Sequence, residues 1–377
     1  MHILGGSDAR ALSVQELLDI TGTNVDFSKI GLGYYDGKGL ESLRSAIADS
    51  YPEASLTPEN ILITLGGSEA IFLAIQTLVS PGDEVLVCRP AYQALYEMAE
   101  AAGARLSFYD YVQKDDFAPN LGVILTALRQ PKPPKALILN TPHNPTGHSW
   151  DEAALKEILS LAKEAGTSVV VDEVFSGICL TSTEAIASAI TLEPESIIIG
   201  CLSKTYGLAG LRIGWLAAPK EFIRRCINLR YYTSLCPPAI VQQLGEIAVR
   251  NKDVILAKNQ EIATVNYGYA LSWLKSHQEF FDWVNPMAGL VMLLRLKIAV
   301  DTEKFARHLA ENLHVFLLPC TVGFGMEEGY LRLGLGRDPE DLRKGLDLIS
   351  QYLHSDNWHS LSEKATQSIG TRSANPD

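Results

Sequence analysis

Residues 203–214 read Ser203-Lys204-Thr205-Tyr206-Gly207-Leu208-Ala209-Gly210-Leu211-Arg212-Ile213-Gly214. The segment lies between two short apolar runs, 196–200 and 213–217. Runs of this length, rich in Ile and Val or aromatic residues and bounded by Gly, Ser and Pro, read as buried strands. A lysine loop held between two such strands stands at the edge of a sheet.

Upstream the same arrangement repeats. Apolar runs at 61–64, 84–88, 105–109, 136–140 and 168–172 alternate with helix-period segments at 68–79, 91–102 and 152–165, and a further helical segment follows at 220–230. This alternation predicts an α/β fold, a large domain with a mostly parallel seven-stranded sheet between helices. In such sheets ligands gather outside the carboxyl ends of the strands. Those ends carry Gly66-Gly67-Ser68 after 61–64, Asn140 and His143-Asn144-Pro145-Thr146-Gly147 after 136–139, Asp172 at the end of 168–172, and Ser203-Lys204 after 196–200. Four polar clusters are thereby expected on one edge.

Past about residue 260 the pattern changes to a helix, an apolar strand at 289–296 and a last helix near 339–353, which reads as a smaller α+β domain. The expected division is 1–30 as an N-terminal segment of the small domain, 31–260 as the large domain, 261–354 as the small domain and 355–377 as a polar, disordered tail.

Composition sets outer bounds. The 377 residues are 47% hydrophobic and 20% charged, as in folded globular chains. A formal charge of −12 argues against nucleic acid as a partner. No apolar run approaches the roughly 20 residues that span a bilayer, so no membrane partner is expected. Met1 to Gly6 show no basic stretch leading into an apolar core, and the six cysteines are widely spaced, with no CxxC pair. These features read as a cytoplasmic protein with reduced thiols and no metal site.

The 203–214 segment resembles the cofactor-lysine motif of the class I/II aminotransferases, enzymes that use pyridoxal 5'-phosphate (PLP) on fold type I. GYYDGKGLESLR at 33–44, GGSEAI at 66–71, HNPTG at 143–147 and YLRLGLG at 330–336 resemble further motifs of that family in the same order, so that the resemblance covers about 31–353. It implies that 31–260 binds PLP and that Lys204 carries the cofactor and moves the substrate's α-proton. It further implies that Asp172 faces the pyridine nitrogen, and that Gly67, Ser68, Ser203 and Arg212 hold the phosphate. Asn144 is implied to donate to the phenolic oxygen and Tyr92 to stack on the ring. Arg332 would bind the substrate carboxylate, with Asn144 and Asn140 beside it. Tyr34 is implied to reach the phosphate in a neighbouring subunit, making a homodimer with shared sites that acts on a small-molecule amino acid.

The chemistry asked of these residue types is consistent with those roles. A lysine amine can bond to an aldehyde and, once freed, act as a base. A carboxylate buried at a strand end is costly unless a cation meets it, and a pyridinium is one. A glycine turn opening a helix offers backbone N–H groups to a phosphate, and a guanidinium grips a carboxylate with two parallel donors.

One position departs from the family pattern. Where the family has Asp-x-x-Tyr, residues 172–175 read Asp-Glu-Val-Phe, and Phe175 has no hydroxyl to donate to the phenolic oxygen. SDARALSVQELLDI at 7–20 and RYYTSLCPPA at 230–239 resemble the capreomycidine-synthase subgroup. Two chemistries therefore stay open: amino transfer to a 2-oxo acid, and a lyase or cyclase reaction that expels a β or γ substituent from a hydroxylated arginine-like amino acid and closes a ring.

Overall fold

The computed structural model describes residues 1–111, 117–181 and 187–355. Residues 356–377, nearly all of the expected tail, lie outside the described residues. Among the described residues no helix is long and apolar enough to cross a membrane.

Seven strands form the main sheet, in the spatial order Ile61–Thr64, Gly214–Ala217, Ile197–Cys201, Ser168–Asp172, Ala136–Asn140, Glu84–Arg89, Arg105–Asp110. Gly214–Ala217 runs antiparallel to both neighbours, and every other direct pair is parallel. The central strands are buried along their whole length, as their unbroken Val/Ile/Leu runs require when helices cover both faces. Register then sets the site, because Asn140 lies opposite Asp172 and Asp172 opposite Ile199. The polar residues that follow each strand are thus brought to one edge by backbone pairing alone.

Sequence and structure agree on the helices Glu152–Ala165 and Lys220–Arg230. The first is capped by the Asp151 side chain and closed by left-handed Gly166. The expected helix at 91–102 instead begins at Ala94. Residues 91–93 run along the rim of the site before the helix starts, so Tyr92 is presented from a loop. The strand expected at 213–217 begins at Gly214, and the Ile213 carbonyl before it accepts the Leu202 N–H at 3.0 Å.

A second, antiparallel sheet has the order Leu318–Pro319, Tyr330–Gly334, Val291–Leu296, Phe281–Trp283. Its core gathers Phe281, Phe305, Leu333 and Leu346, and Leu4 from the start of the chain. His2–Ile3 pairs in parallel with Val315–Phe316. From there the chain turns across to the lysine loop, so residues 4–10 lie between the two sheets.

Candidate active site

The carboxyl edge of the main sheet and the second sheet enclose a cavity of about 380 Å³. Gly67, Ser68, Tyr92, Asn140, Asn144, Asp172, Ser203, Lys204, Arg212 and Arg332 all line it, so ten of the eleven residues singled out from the sequence meet there. Tyr34 does not. It stands 86% exposed beside Leu32, on a segment whose Gly37 abuts Tyr231.

Lys204 is partly buried, and its Nζ donates to Ser7 Oγ at 3.0 Å. Burial lowers its proton affinity from the ordinary lysine value; nearby Arg332 pushes the same way, while Cys201, Asp8 and Asp172 oppose the shift. Asp172 is buried, and burial lifts its carboxyl to about 6 even though the Val174 N–H donates to Oδ1 at 3.2 Å. The adjacent Glu173 points away from the cavity. It accepts from Ser188 Oγ at 2.7 Å and the Ala189 N–H at 2.8 Å, while burial raises it to about 7. Of the two carboxylates, Asp172 is the one with acceptor capacity left on the cavity side.

Arg332 is buried on the central strand Tyr330–Gly334. Its Nε and Nη2 donate to the Gly5 carbonyl at 3.3 and 2.7 Å, and its Nη1 donates to Asn144 Oδ1 at 3.1 Å. Burial brings it down to about 10, and among the described residues no carboxylate lies within ion-pair distance. Three of its five N–H groups are engaged, which leaves two for an anion. Because the guanidinium only donates, Asn144 must present its oxygen to Arg332 and keep its Nδ2 donors on the cavity wall.

Asn140 plays a different part. Its Oδ1 accepts the Asn144 N–H at 2.9 Å, and its Nδ2 donates to the carbonyls of Pro142 and Asp172 at 3.2 and 3.0 Å. Its amide is committed to backbone and holds Asn144 in place. His143 braces the same loop, pairing with Thr146 Oγ1 at 2.7 Å and with the Pro90 carbonyl at 2.9 Å, and it stacks on Tyr111 at 3.8 Å. The loops bearing Asn144 and Tyr92 are thereby tied together.

On the other side of the cavity the helix Gly67–Leu78 begins without a side-chain cap. Its first N–H groups have no intrahelical partner and face the cavity, a ready seat for an anion. Gly66 has φ +79°, and a Cβ there would overlap Arg212 Nη2, so only glycine lets the guanidinium lie against the loop. Arg212 donates to the Ala209 carbonyl at 3.0 Å and lies 3.4 Å from Ser203 Oγ. Buried Arg230 props this loop from behind through the carbonyls of Gly37 and Ile63 and an ion pair with Glu69 at 3.5 Å.

These groups fit PLP by their donor set: a partly buried lysine amine, a carboxylate wanting a cation, a helix start with serine and arginine for a phosphate, and an amide donor. Among the described residues no cluster suits a metal ion.

Residues 25–349 match the family described as aminotransferase class I and II. The chain belongs to that family. Its members depend on PLP, and this chain is therefore a PLP-dependent enzyme of the class I/II aminotransferase family with fold type I. It is 30% identical over 327 residues to capreomycidine synthase of Streptomyces vinaceus, which covers 85% of this chain and 82% of that protein. A PLP-dependent aminotransferase from Streptococcus suis superposes with a TM-score of 0.87 at 27% identity, covering 94% of this chain and 93% of the other. The PLP-dependent cyclase OrfR superposes equally well, with a TM-score of 0.87 at 30% identity and the same coverage.

Two neighbours of the cavity have no role in the sequence reading, although Ser7 opens the stretch quoted at 7–20. Ser7 lies against Lys204, and the Gly5 carbonyl lies against Arg332. Phe175 is buried on the cavity wall, packed near Gly289, and brings no donor with it.

Proposed function

We propose that the chain is an aminotransferase that binds PLP and moves the α-amino group of an amino acid to a 2-oxo acid. The observation that carries this reading is the convergence of three groups on one cavity: the partly buried Lys204 amine, the buried Asp172 carboxylate and the buried Arg332 guanidinium, which has no carboxylate partner among the described residues. When bound, PLP supplies an aldehyde that bonds to amines and an electron-poor ring that accepts the electron pair left when an α-proton departs.

The chain's own residues do the rest. Arg332 holds the substrate carboxylate with its two remaining N–H groups and so fixes which α-substituent faces Lys204. Lys204, whose proton affinity is lowered by burial, takes the α-proton at Nζ and can return it. Asp172 keeps positive charge on the ring nitrogen. Asn144 donates from Nδ2, Tyr92 covers the ring, and Ser68, Ser203, Arg212 and the N–H groups at Gly67 hold the phosphate. Asn140 maintains Asn144 in its orientation.

The exposed strip of Leu32, Tyr34, Tyr231 and Tyr232, with Tyr232 90% exposed, supports a homodimer in which Tyr34 completes the partner's site. Light scattering tests this; a fully active monomer would remove the shared site.

Phe175 and the likeness to capreomycidine synthase and OrfR favour a second reading, elimination and ring closure on a hydroxylated arginine-like amino acid. Against it, Asp172 is the only carboxylate among the described residues lining the cavity, so this chain offers a guanidinium side chain no second counter-charge. Incubation with single amino acids, with and without 2-oxoglutarate, decides between them. An aminotransferase halts after one equivalent until the oxo acid is added. Sustained turnover without it, giving a dehydrated or cyclic product, establishes the second reading instead.

A further inference from the structure

The segment 4–10 is tied to both halves of the site. On the side of the second sheet, the Gly334 N–H donates to Leu4 O at 2.6 Å and the Arg10 N–H to Gly336 O at 2.7 Å, while the Gly5 carbonyl receives Arg332. Gly334 must be glycine here, since a Cβ would overlap the Gly6 carbonyl oxygen. On the lysine side, the Ala9 N–H donates to Lys204 O at 3.0 Å and the Leu12 N–H to Gly207 O at 3.2 Å. Between these anchors Ser7 is buried on the cavity wall, its Oγ 3.0 Å from Lys204 Nζ.

We propose that Ser7 is a positioning residue for Lys204, its hydroxyl seating the Nζ amine whenever the lysine is not bonded to the cofactor. The inference rests on the functional reading above, in which Lys204 is freed during each turnover. A lysine stem has four rotatable carbons and no intrinsic direction. One hydrogen bond from a segment anchored at both ends gives it one. The partner's chemistry also matters. A hydroxyl accepts from an ammonium and can turn to donate to a neutral amine, so it seats both forms. A carboxylate at the same place would hold the lysine charged and unfit to act as a base. Asp172 and Asp8 act on Nζ by charge across space, Cys201 and Arg332 are the other titratable or charged groups around it, and among the described residues Ser7 is its hydrogen-bond partner.

The test uses Ser7→Ala and Ser7→Thr with two readouts. The first is the pH midpoint for acetic anhydride labelling of Lys204 in PLP-free protein, followed by peptide mass analysis. The charge-assisted form of the bond is the stronger one, so S7A is expected to lower the midpoint by about half a unit. The second is deuterium uptake from D2O at the α-carbon of L-alanine and L-arginine by the PLP-loaded protein, expected to fall about tenfold, the worth of one hydrogen bond. S7T should stay within about twofold of wild type on both, since it keeps the hydroxyl. If S7A does not fold, Ser7→Cys takes its place and must show the same two shifts. A folded S7A or S7C that matches wild type on both readouts overturns the role of Ser7, as does an S7T as impaired as S7A. A wild-type protein whose Lys204 takes up no PLP overturns the functional reading, and this inference with it.

Discussion

The two walls of the cavity are built by different means. One wall is the carboxyl edge of the main sheet, where Asp172 ends a buried strand, Gly67, Asn144 and Ser203-Lys204 follow others, and register sets their spacing. The other is the strap 4–10 with the strand Tyr330–Gly334, where position depends on carbonyls, a hydroxyl and close glycine contacts. The first wall is local in sequence and rigid by pairing. The second joins residues 327 positions apart, as Gly5 and Arg332 are, and holds only while both sheets are folded together. On the proposed reading, chemistry is concentrated on the first wall and substrate orientation on the second.

Substitutions should separate the two. The largest effect is expected on the sheet edge. Asp172→Asn should cut turnover by about a thousandfold, as loss of a charge that is placed in advance does elsewhere. The same change should stabilise the PLP-free protein at neutral pH. Burial raises Asp172 to about 6 and Glu173 to about 7, so across this range the folded chain holds protons that the unfolded chain has released. Stability is then full near pH 4 and lost as pH climbs through about 6 for Asp172 and about 7 for Glu173. Asp172→Asn removes the first part, up to about 3 kcal/mol. Thermal melts at pH 4 and pH 7.5 check it: the variant should gain only at the higher pH, and equal melts at both would show that Asp172 is not strained by burial.

On the opposite wall the effect should be smaller and of another kind. Arg332→Lys should raise KM for the amino acid by about 30-fold, because a point charge replaces a fork with paired donors. The fall in kcat should be slighter. Steady-state kinetics on the best amino acid reads both, and a pure kcat loss with unchanged KM would move Arg332 from substrate binding to chemistry. The tenfold effect expected at Ser7 is the smallest, and it asks whether the strap reaches across to the other wall.

Legibility in the sequence follows the same division. Lys204, Asp172, Asn144 and Arg212 could be placed because strand-end position and residue type coincide within a few residues. Tyr92 lies in the cavity as its position predicts, but on a loop and not a helix, since a helical period counted from 91 cannot register that the chain first follows the rim. Arg230 reads as an ordinary basic residue in the last turn of an amphipathic helix; only the folded chain shows it fully buried behind the glycine loop. Gly5 and Ser7 carry no periodic signal at all, because a backbone carbonyl and a small hydroxyl act through distant partners. Asn140 was legible as a residue of the cavity edge, but the commitment of its amide to backbone groups emerges only from the register of two parallel strands.

The brace formed by His143 bears on how any acid titration of this enzyme is to be interpreted. Burial takes the imidazole down to about 3, so it stays uncharged across the whole range in which activity is ordinarily measured. The spacing between the Asn144 and Tyr92 loops is therefore insulated from protons. A change in rate in mildly acid solution thus does not arise from His143, which belongs to the silent frame.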